Sequence, residues 1–232
     1  MRTEKLICIP YAGGSAAIFN KWKKKLPSKI EVLPIELAGR GTRIDEPPYE
    51  SFQQALDDMH DKLNSMELDQ YSIFGHSMGA IISFALLSNL RNTGKNLPNH
   101  VFLSGMQPPN SEKNLRKKYH ELSDQKFKNK IWELGGTPKE FFQEPELLEI
   151  FLPLLRSDFK IASQDLSNYS IKNLKTKIHV FNGEQEIEKE NLEMWKVFSK
   201  NISISIFQGG HFFINEYTTE VLDRINEIIL RP

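Results

Sequence analysis

At 232 residues, with 39% hydrophobic and 26% charged side chains, the chain has the composition of one globular domain able to bury a full core. Its 30 basic and 30 acidic residues cancel, which removes the global electrostatic support that nucleic-acid binding needs. No apolar run approaches membrane-spanning length, and the run Leu6–Ile9 before Pro10 is too short for a signal peptide. The single cysteine, Cys8, rules out an internal disulfide and is expected to be a small core residue. The expected setting is the cytoplasm, with neither nucleic acid nor membrane as partner.

Strand-length apolar runs alternate with helix-period segments along the chain. The strands are expected at Leu6–Pro10, Ile30–Ile35, Tyr71–Phe74, His100–Ser104, Ile178–Asn182 and Ile202–Phe207. Lys23-Lys24-Lys25 reads as a solvated helix face. Ser51 with Gln54 three residues on is a capping-box pattern, and Leu56, Met59 and Leu63 form the stripe of the helix it opens. Ala80–Leu87 is apolar nearly all round and predicts a buried helix, with Gly94 as its stop. A last helix is expected from about Thr218 to Leu230. This alternation implies a doubly wound, mostly parallel α/β sheet covered on both faces.

Residues 106–170 interrupt the pattern, and Gly105 to about Ser170 holds no convincing strand. Ser123 can cap a helix carrying Phe127, Ile131 and Leu134, ended by Gly135-Gly136. Thr137-Pro138-Lys139-Glu140 restarts one, and Glu146–Leu155 forms an unusually apolar third. The whole chain, 1–232, is expected to be one domain, with 106–170 as a helical lid above the carboxyl ends of the strands, where open α/β sheets bind ligands. Extra core helices with no gating role are the alternative.

Gly75-His76-Ser77-Met78-Gly79 is a G-x-S-x-G motif between a predicted strand and a predicted helix. A serine on such a turn holds its hydroxyl above the sheet, where the glycines leave room for it. It needs a base and an orienting acid, in the chain order Ser, acid, His. Of the six histidines, His60 and His120 fall on predicted helices, His100 and His179 on strands, and His76 adjoins Ser77 and points elsewhere. His211 remains, in the loop Gln208-Gly209-Gly210-His211. The acid is sought in Gly183-Glu184-Gln185-Glu186-Ile187-Glu188. Glu186 is the candidate, with Glu184 and Glu188 close enough to replace it. The earlier turn, Gly105-Met106-Gln107-Pro108, has no acid. Backbone N–H donors for an oxyanion are expected at Met78 and, in the loop Pro10-Tyr11-Ala12-Gly13-Gly14-Ser15, at Ala12. Gly39-Arg40-Gly41-Thr42 is only a fragment of a dinucleotide fingerprint. With no P-loop and no metal-ligand spacing, neither metal nor bound cofactor is expected.

With these motifs the chain resembles the type II, editing thioesterases of nonribosomal peptide and polyketide synthesis, in the α/β-hydrolase superfamily. Leu134-Gly135-Gly136-Thr137-Pro138 and Leu155-Arg156-Ser157-Asp158-Phe159 carry the more discriminating part of the resemblance. Ala38 stands where the family has proline, and Glu186 where it has aspartate. The resemblance implies an α/β-hydrolase fold with a helical lid and catalysis by Ser77, His211 and Glu186. It implies hydrolysis of stalled or aberrant acyl groups from the phosphopantetheine arm of an acyl or peptidyl carrier protein, by a monomer needing no cofactor of its own. A general serine esterase or acyl-CoA thioesterase would use the same residues. A non-catalytic module that docks carrier proteins is the reading from another class.

Overall fold

The computed structural model describes residues 3–109, 111, 118–136, 144–172, 174–186, 194–198 and 201–230. Six parallel strands form its sheet: β1 (Glu4–Ile9), β2 (Ile30–Pro34), β3 (Tyr71–His76), β4 (His100–Ser104), β5 (Lys177–Gly183) and β6 (Ile202–Phe207). Their order is β2-β1-β3-β4-β5-β6. Parallel neighbours need a crossover, and the helices supply it: α1 (Asn20–Lys25), α2 (Phe52–Asn64), α3 (Met78–Asn92), α4 (Asp124–Leu134), α5 (Pro145–Ala162), α6 (Phe213–Glu216) and α7 (Thr218–Leu230).

Both faces of the sheet are covered, which is why its strands read as continuous apolar runs. Alternate residues divide between two cores. Ile7, Ile9, Ile73, Val101, Leu103, Ile178 and Val180 share one with α2 and α3. Leu6, Cys8, Phe74, Phe102 and Phe181 share the other with α1 and α7. Cys8 is fully buried, and burial raises its thiol pKa well above the usual value, so it behaves as an apolar core residue. Lys23, Lys24 and Lys25 are exposed.

The cap predicted at Ser51 forms with one change of partner. Ser51 Oγ accepts from the Gln54 amide (3.2 Å), but Gln54 Oε1 reaches back to the amide of Glu50 (2.7 Å) rather than to that of Ser51. Gly94 ends α3 with φ +66°, and Lys95 N–H donates to Leu90 O, as in a helix stop that places glycine in the left-handed region.

Several boundaries differ from the sequence expectation. β3 runs on through Gly75 and His76, because Gly75 pairs with Leu103 and His76 with Ser104 in register. Ser123 precedes α4 but makes no side-chain cap, and Leu134 is exposed rather than in its apolar stripe. The largest difference is α5. It continues to Ala162 instead of ending at Leu155, because Asp158, which resembles a polar stop, is a fully buried partner within it. Pro153 lies inside this helix and removes one backbone donor there. The restart expected at Thr137-Pro138-Lys139-Glu140 lies outside the described residues.

Between β4 and β5 the described residues hold α4, α5 and a short 3-10 turn at Tyr119–Glu121, and no strand. Phe127, Ile131, Leu152 and Leu155 make a small core of their own there. No helix among the described residues is long and apolar enough to cross a membrane.

Candidate active site

Ser77 sits between β3 and α3 with φ 54° and ψ −114°, and is the sole non-glycine residue with positive φ among those described. Such a conformation costs roughly 1–3 kcal/mol and survives only where the surroundings impose it. The surroundings here are tight. A Cβ on Gly75 would stand 2.2 Å from Gly79 O, and one on Gly79 would stand 2.2 Å from Ile9 O. Only glycine permits α3 to start this close to β1 and β3. The Ser77 amide donates to Ser104 O at 2.7 Å, pinning the turn to β4.

His211 lies in the loop between β6 and α6. A Cβ on Gly183 would stand 2.4 Å from Gly210 O, so the end of β5 lies directly against this loop. The Glu184 amide donates to Phe207 O and the Gln185 amide to Gly209 O. The Glu186 amide closes a turn onto Gly183 O at 3.1 Å. This turn brings Glu186 Oε2 to 2.7 Å from His211 Nδ1, while His211 Nε2 lies 2.9 Å from Ser77 Oγ. An ionised carboxylate only accepts, so Nδ1 carries the proton and Nε2 accepts from the Ser77 hydroxyl. The extra methylene of glutamate is absorbed by the turn. Glu184 points into solvent, and Glu188 lies outside the described residues.

The other histidines are occupied elsewhere. His60 meets Asn64 on α2, and His100 Nδ1 meets His179 Nε2 at 2.9 Å on the sheet. His76 Nδ1 meets Ser104 Oγ at 2.9 Å, and its ring lies 5.2 Å from that of His211. Burial, reinforced by the neighbouring His211, pushes the His76 pKa well below the usual histidine range. His76 therefore stays neutral and adds no positive charge beside His211.

The loop after β1 makes a tight turn: the Gly14 amide donates to Tyr11 O, with Gly13 at φ +76°. Ala12 from this loop, Ser77 and His211 all line one cavity of about 760 Å³. Its opposite wall is apolar and comes from α4 and α5, including Ile131, Phe151 and Leu155. Met78 is the first residue of α3, so its amide has no acceptor within the helix.

Two features were missed from sequence. Arg40 and Asp158 form a buried, two-pronged ion pair with both contacts at 2.6 Å. Arg40 is nearly inaccessible, which excludes the nucleotide-phosphate role that its glycine-flanked setting hints at. Phe212 packs edge-on against both Tyr11 and His211, and nothing in the sequence marked it.

A family profile for the thioesterase domain matches residues 4–229. The chain is similar to gramicidin S biosynthesis protein GrsT of Aneurinibacillus migulanus, with 34% identity over 94% of this chain and 86% of that protein. It is equally similar, at 34% identity, to the medium-chain S-acyl fatty acid synthase thioesterase of Homo sapiens, over 95% of this chain and 84% of the relative. Among solved structures it resembles ClbQ from the colibactin NRPS/PKS pathway, with a TM-score of 0.89, 33% identity and coverage of 98% and 97% of the two chains.

Proposed function

The chain belongs to the thioesterase-domain family, and we propose that it is a type II, editing thioesterase of a nonribosomal peptide or polyketide synthase. On this reading it hydrolyses stalled or aberrant acyl and aminoacyl thioesters from the phosphopantetheine arm of a carrier protein. The hydrogen-bonded chain from Ser77 through His211 to Glu186, at the wall of an apolar cleft, is the observation that carries it.

Ser77 Oγ attacks the thioester carbonyl while His211 Nε2 takes its proton. Glu186 holds the imidazole in the tautomer this requires and stabilises the cation that forms. The amides of Met78 and Ala12 face the developing oxyanion. Collapse breaks the carbon–sulfur bond, and His211 returns the proton to the departing thiol of the arm. Water, deprotonated by His211, then attacks the acyl-Ser77 ester and releases the carboxylic acid and free serine. No step calls for a cofactor. The reading takes the enzyme as a cytoplasmic monomer whose macromolecular partner is the carrier protein, with α4 and α5 as the lid over the arm and the acyl group.

Names of relatives support this reading: GrsT and ClbQ belong to peptide and polyketide pathways. The similarity to a fatty acid synthase thioesterase, with the apolar far wall of the cleft, favours a second reading as a general acyl thioesterase. The deciding experiment measures turnover of one acyl group on a carrier protein, on coenzyme A and as a simple ester. Carrier-protein turnover should exceed the other two, and equal rates would favour the second reading. Turnover retained by Ser77→Ala would end both.

A further inference from the structure

We propose that Arg40 and Asp158 are positioning residues that lock the oxyanion loop, so that α5 of the insert is a structural part of the catalytic apparatus rather than a detachable cover. The proposal rests on the thioesterase reading above and names two residues whose effect on the reaction passes through the loop Tyr11–Ser15.

The contacts converge on that loop from a distance in sequence. Asp158 Oδ2 accepts from the Gly13 amide at 2.7 Å. The same oxygen accepts from Arg40 Nη1 at 2.6 Å, and Oδ1 accepts from Nη2 at 2.6 Å. Arg40 Nη1 also donates to Gly14 O at 3.2 Å. The pair thus holds an N–H and a C=O of consecutive residues, one position beyond Ala12. Apolar contacts reinforce the seat. A Cβ on Gly13 would stand 2.7 Å from Leu155 Cδ2, and one on Gly39 would stand 3.2 Å from Leu154 Cδ1. On the same helix, Ser157 Oγ donates to Tyr49 O at 2.5 Å and Lys160 Nζ to Glu50 O at 2.7 Å.

The charges explain why a pair is used. Asp158 is fully buried, and an uncompensated carboxylate beside this loop would repel the oxyanion that the loop has to stabilise. The guanidinium, bound through two nitrogens, cancels it while leaving the carboxylate free to grip Gly13. Withdrawing α5 would strip both partners of their hydrogen bonds and leave buried charges behind, a strongly unfavourable step. The seat of α5 and the geometry of the oxyanion donors therefore change together.

The test compares wild type with Asp158→Ala, Asp158→Asn and the double variant Arg40→Met/Asp158→Ala on one acyl-carrier thioester. Inhibition by an alkyl trifluoromethyl ketone, which forms a tetrahedral alkoxide on Ser77, is measured alongside. A displaced donor costs about a hundredfold, so Asp158→Ala should lose about that much kcat and ketone affinity while KM stays within about threefold. The double variant should lose no more, because the pair acts as one unit. Asp158→Asn retains an acceptor for Gly13 and should recover part of the loss. It also keeps the test decisive if Asp158→Ala does not fold, since wild-type kcat in the asparagine variant overturns the proposal. So does a loss confined to KM, which would make α5 a wall of the cleft only. A wild type that turns over no acyl thioester overturns the thioesterase reading and this proposal with it. An active wild type matched by Asp158→Ala overturns the clasp alone.

Discussion

Replacing Glu186 by glutamine tests the relay at its far end without changing its shape. In the native site Glu186 Oε2 accepts from His211 Nδ1 at 2.7 Å, which leaves Nε2 free to accept from Ser77 Oγ at 2.9 Å. A glutamine can turn its NH2 toward Nδ1 and stabilise the other tautomer. The proton then sits on Nε2, which can no longer take one from Ser77. Loss of the carboxylate also removes the charge that stabilises the imidazolium in the transition state. At the acid of a serine-protease triad, aspartate to asparagine costs about 10⁴ in kcat, or about 5 kcal/mol at 1.36 kcal/mol per tenfold. Both partners here are about 30% exposed, with side-chain accessibilities of 28% for His211 and 31% for Glu186, so water screens part of the charge effect. A loss of about 10³ in kcat is expected, with the rate of acyl-enzyme formation followed by rapid quench. Glu184→Gln is the comparator. Its side chain is exposed and touches neither His211 nor the cleft, so activity should remain within twofold of wild type. Equal losses in the two variants would refute the assignment of Glu186.

Backbone strain at Ser77 predicts that Ser77→Gly, though inactive, is more stable than Ser77→Ala by about 1–2 kcal/mol, because glycine adopts φ 54° without penalty; equal melting temperatures would show that the elbow is unstrained. His100 and His179 are buried as a neutral pair, and burial first, then nearby positive charge, lowers their pKa values to about 4 and about 3. The unfolded chain binds protons on these groups below about pH 6.5 and the folded chain resists until about pH 4, so their stabilisation is complete above pH 6.5 and falls away as the pH drops toward 4. His100 alone contributes on the order of 3 kcal/mol to that loss, and urea titrations from pH 7.5 to 4.5 should show a shallower slope in His100→Asn, parallel curves being the contrary result. In α5 the amides after Pro153, where the helix is tied to Arg40, Tyr49 and Glu50, should exchange with deuterium more slowly than those before it, where Leu147 and Ile150 face solvent; uniform protection along the helix would count against that anchoring.

Where the chemistry is local, it was legible. The elbow needs glycines two residues either side of Ser77, a strand before it and a helix after it, all within a stretch short enough to read directly. His211 emerged by elimination, because strand and helix periodicities accounted for the other positions. The doubly wound, mostly parallel sheet followed from the alternation of strands and helices, whereas the order of its strands is read from the structure. Glu186 was harder. Three glutamates lie within five residues of sequence there, and the pairing of the Glu184 and Gln185 amides with Phe207 and Gly209 sets Glu186 toward the histidine. That pairing depends on where β6 ends relative to β5, a tertiary fact with no local sequence signature.

The misreading of α5 shows the same limit from the other side. Arg156-Ser157-Asp158 looks like the polar end of an apolar helix because composition prices a charged residue as exposed. In the folded chain Asp158 is fully buried, with partners 118 residues away at Arg40 and 145 away at Gly13. A buried carboxylate is tolerable only where a cation and hydrogen-bond donors already wait for it, so its position in the sequence is explained by the loops it meets and not by its neighbours. Arg40 was passed over for the complementary reason: its two flanking glycines are only a fragment of a nucleotide motif, and a Cβ on Gly41 would stand 1.9 Å from Glu36 Oε2 while one on Gly39 would crowd Leu154 and Pro48. The glycines are there so that protein can pack closely, leaving no room for a ligand. Both omissions share one cause. Single-sequence patterns report how a residue suits its own element, whereas the seat of α5 on the loop Tyr11–Ser15 is specified by pairs of residues that fit only each other.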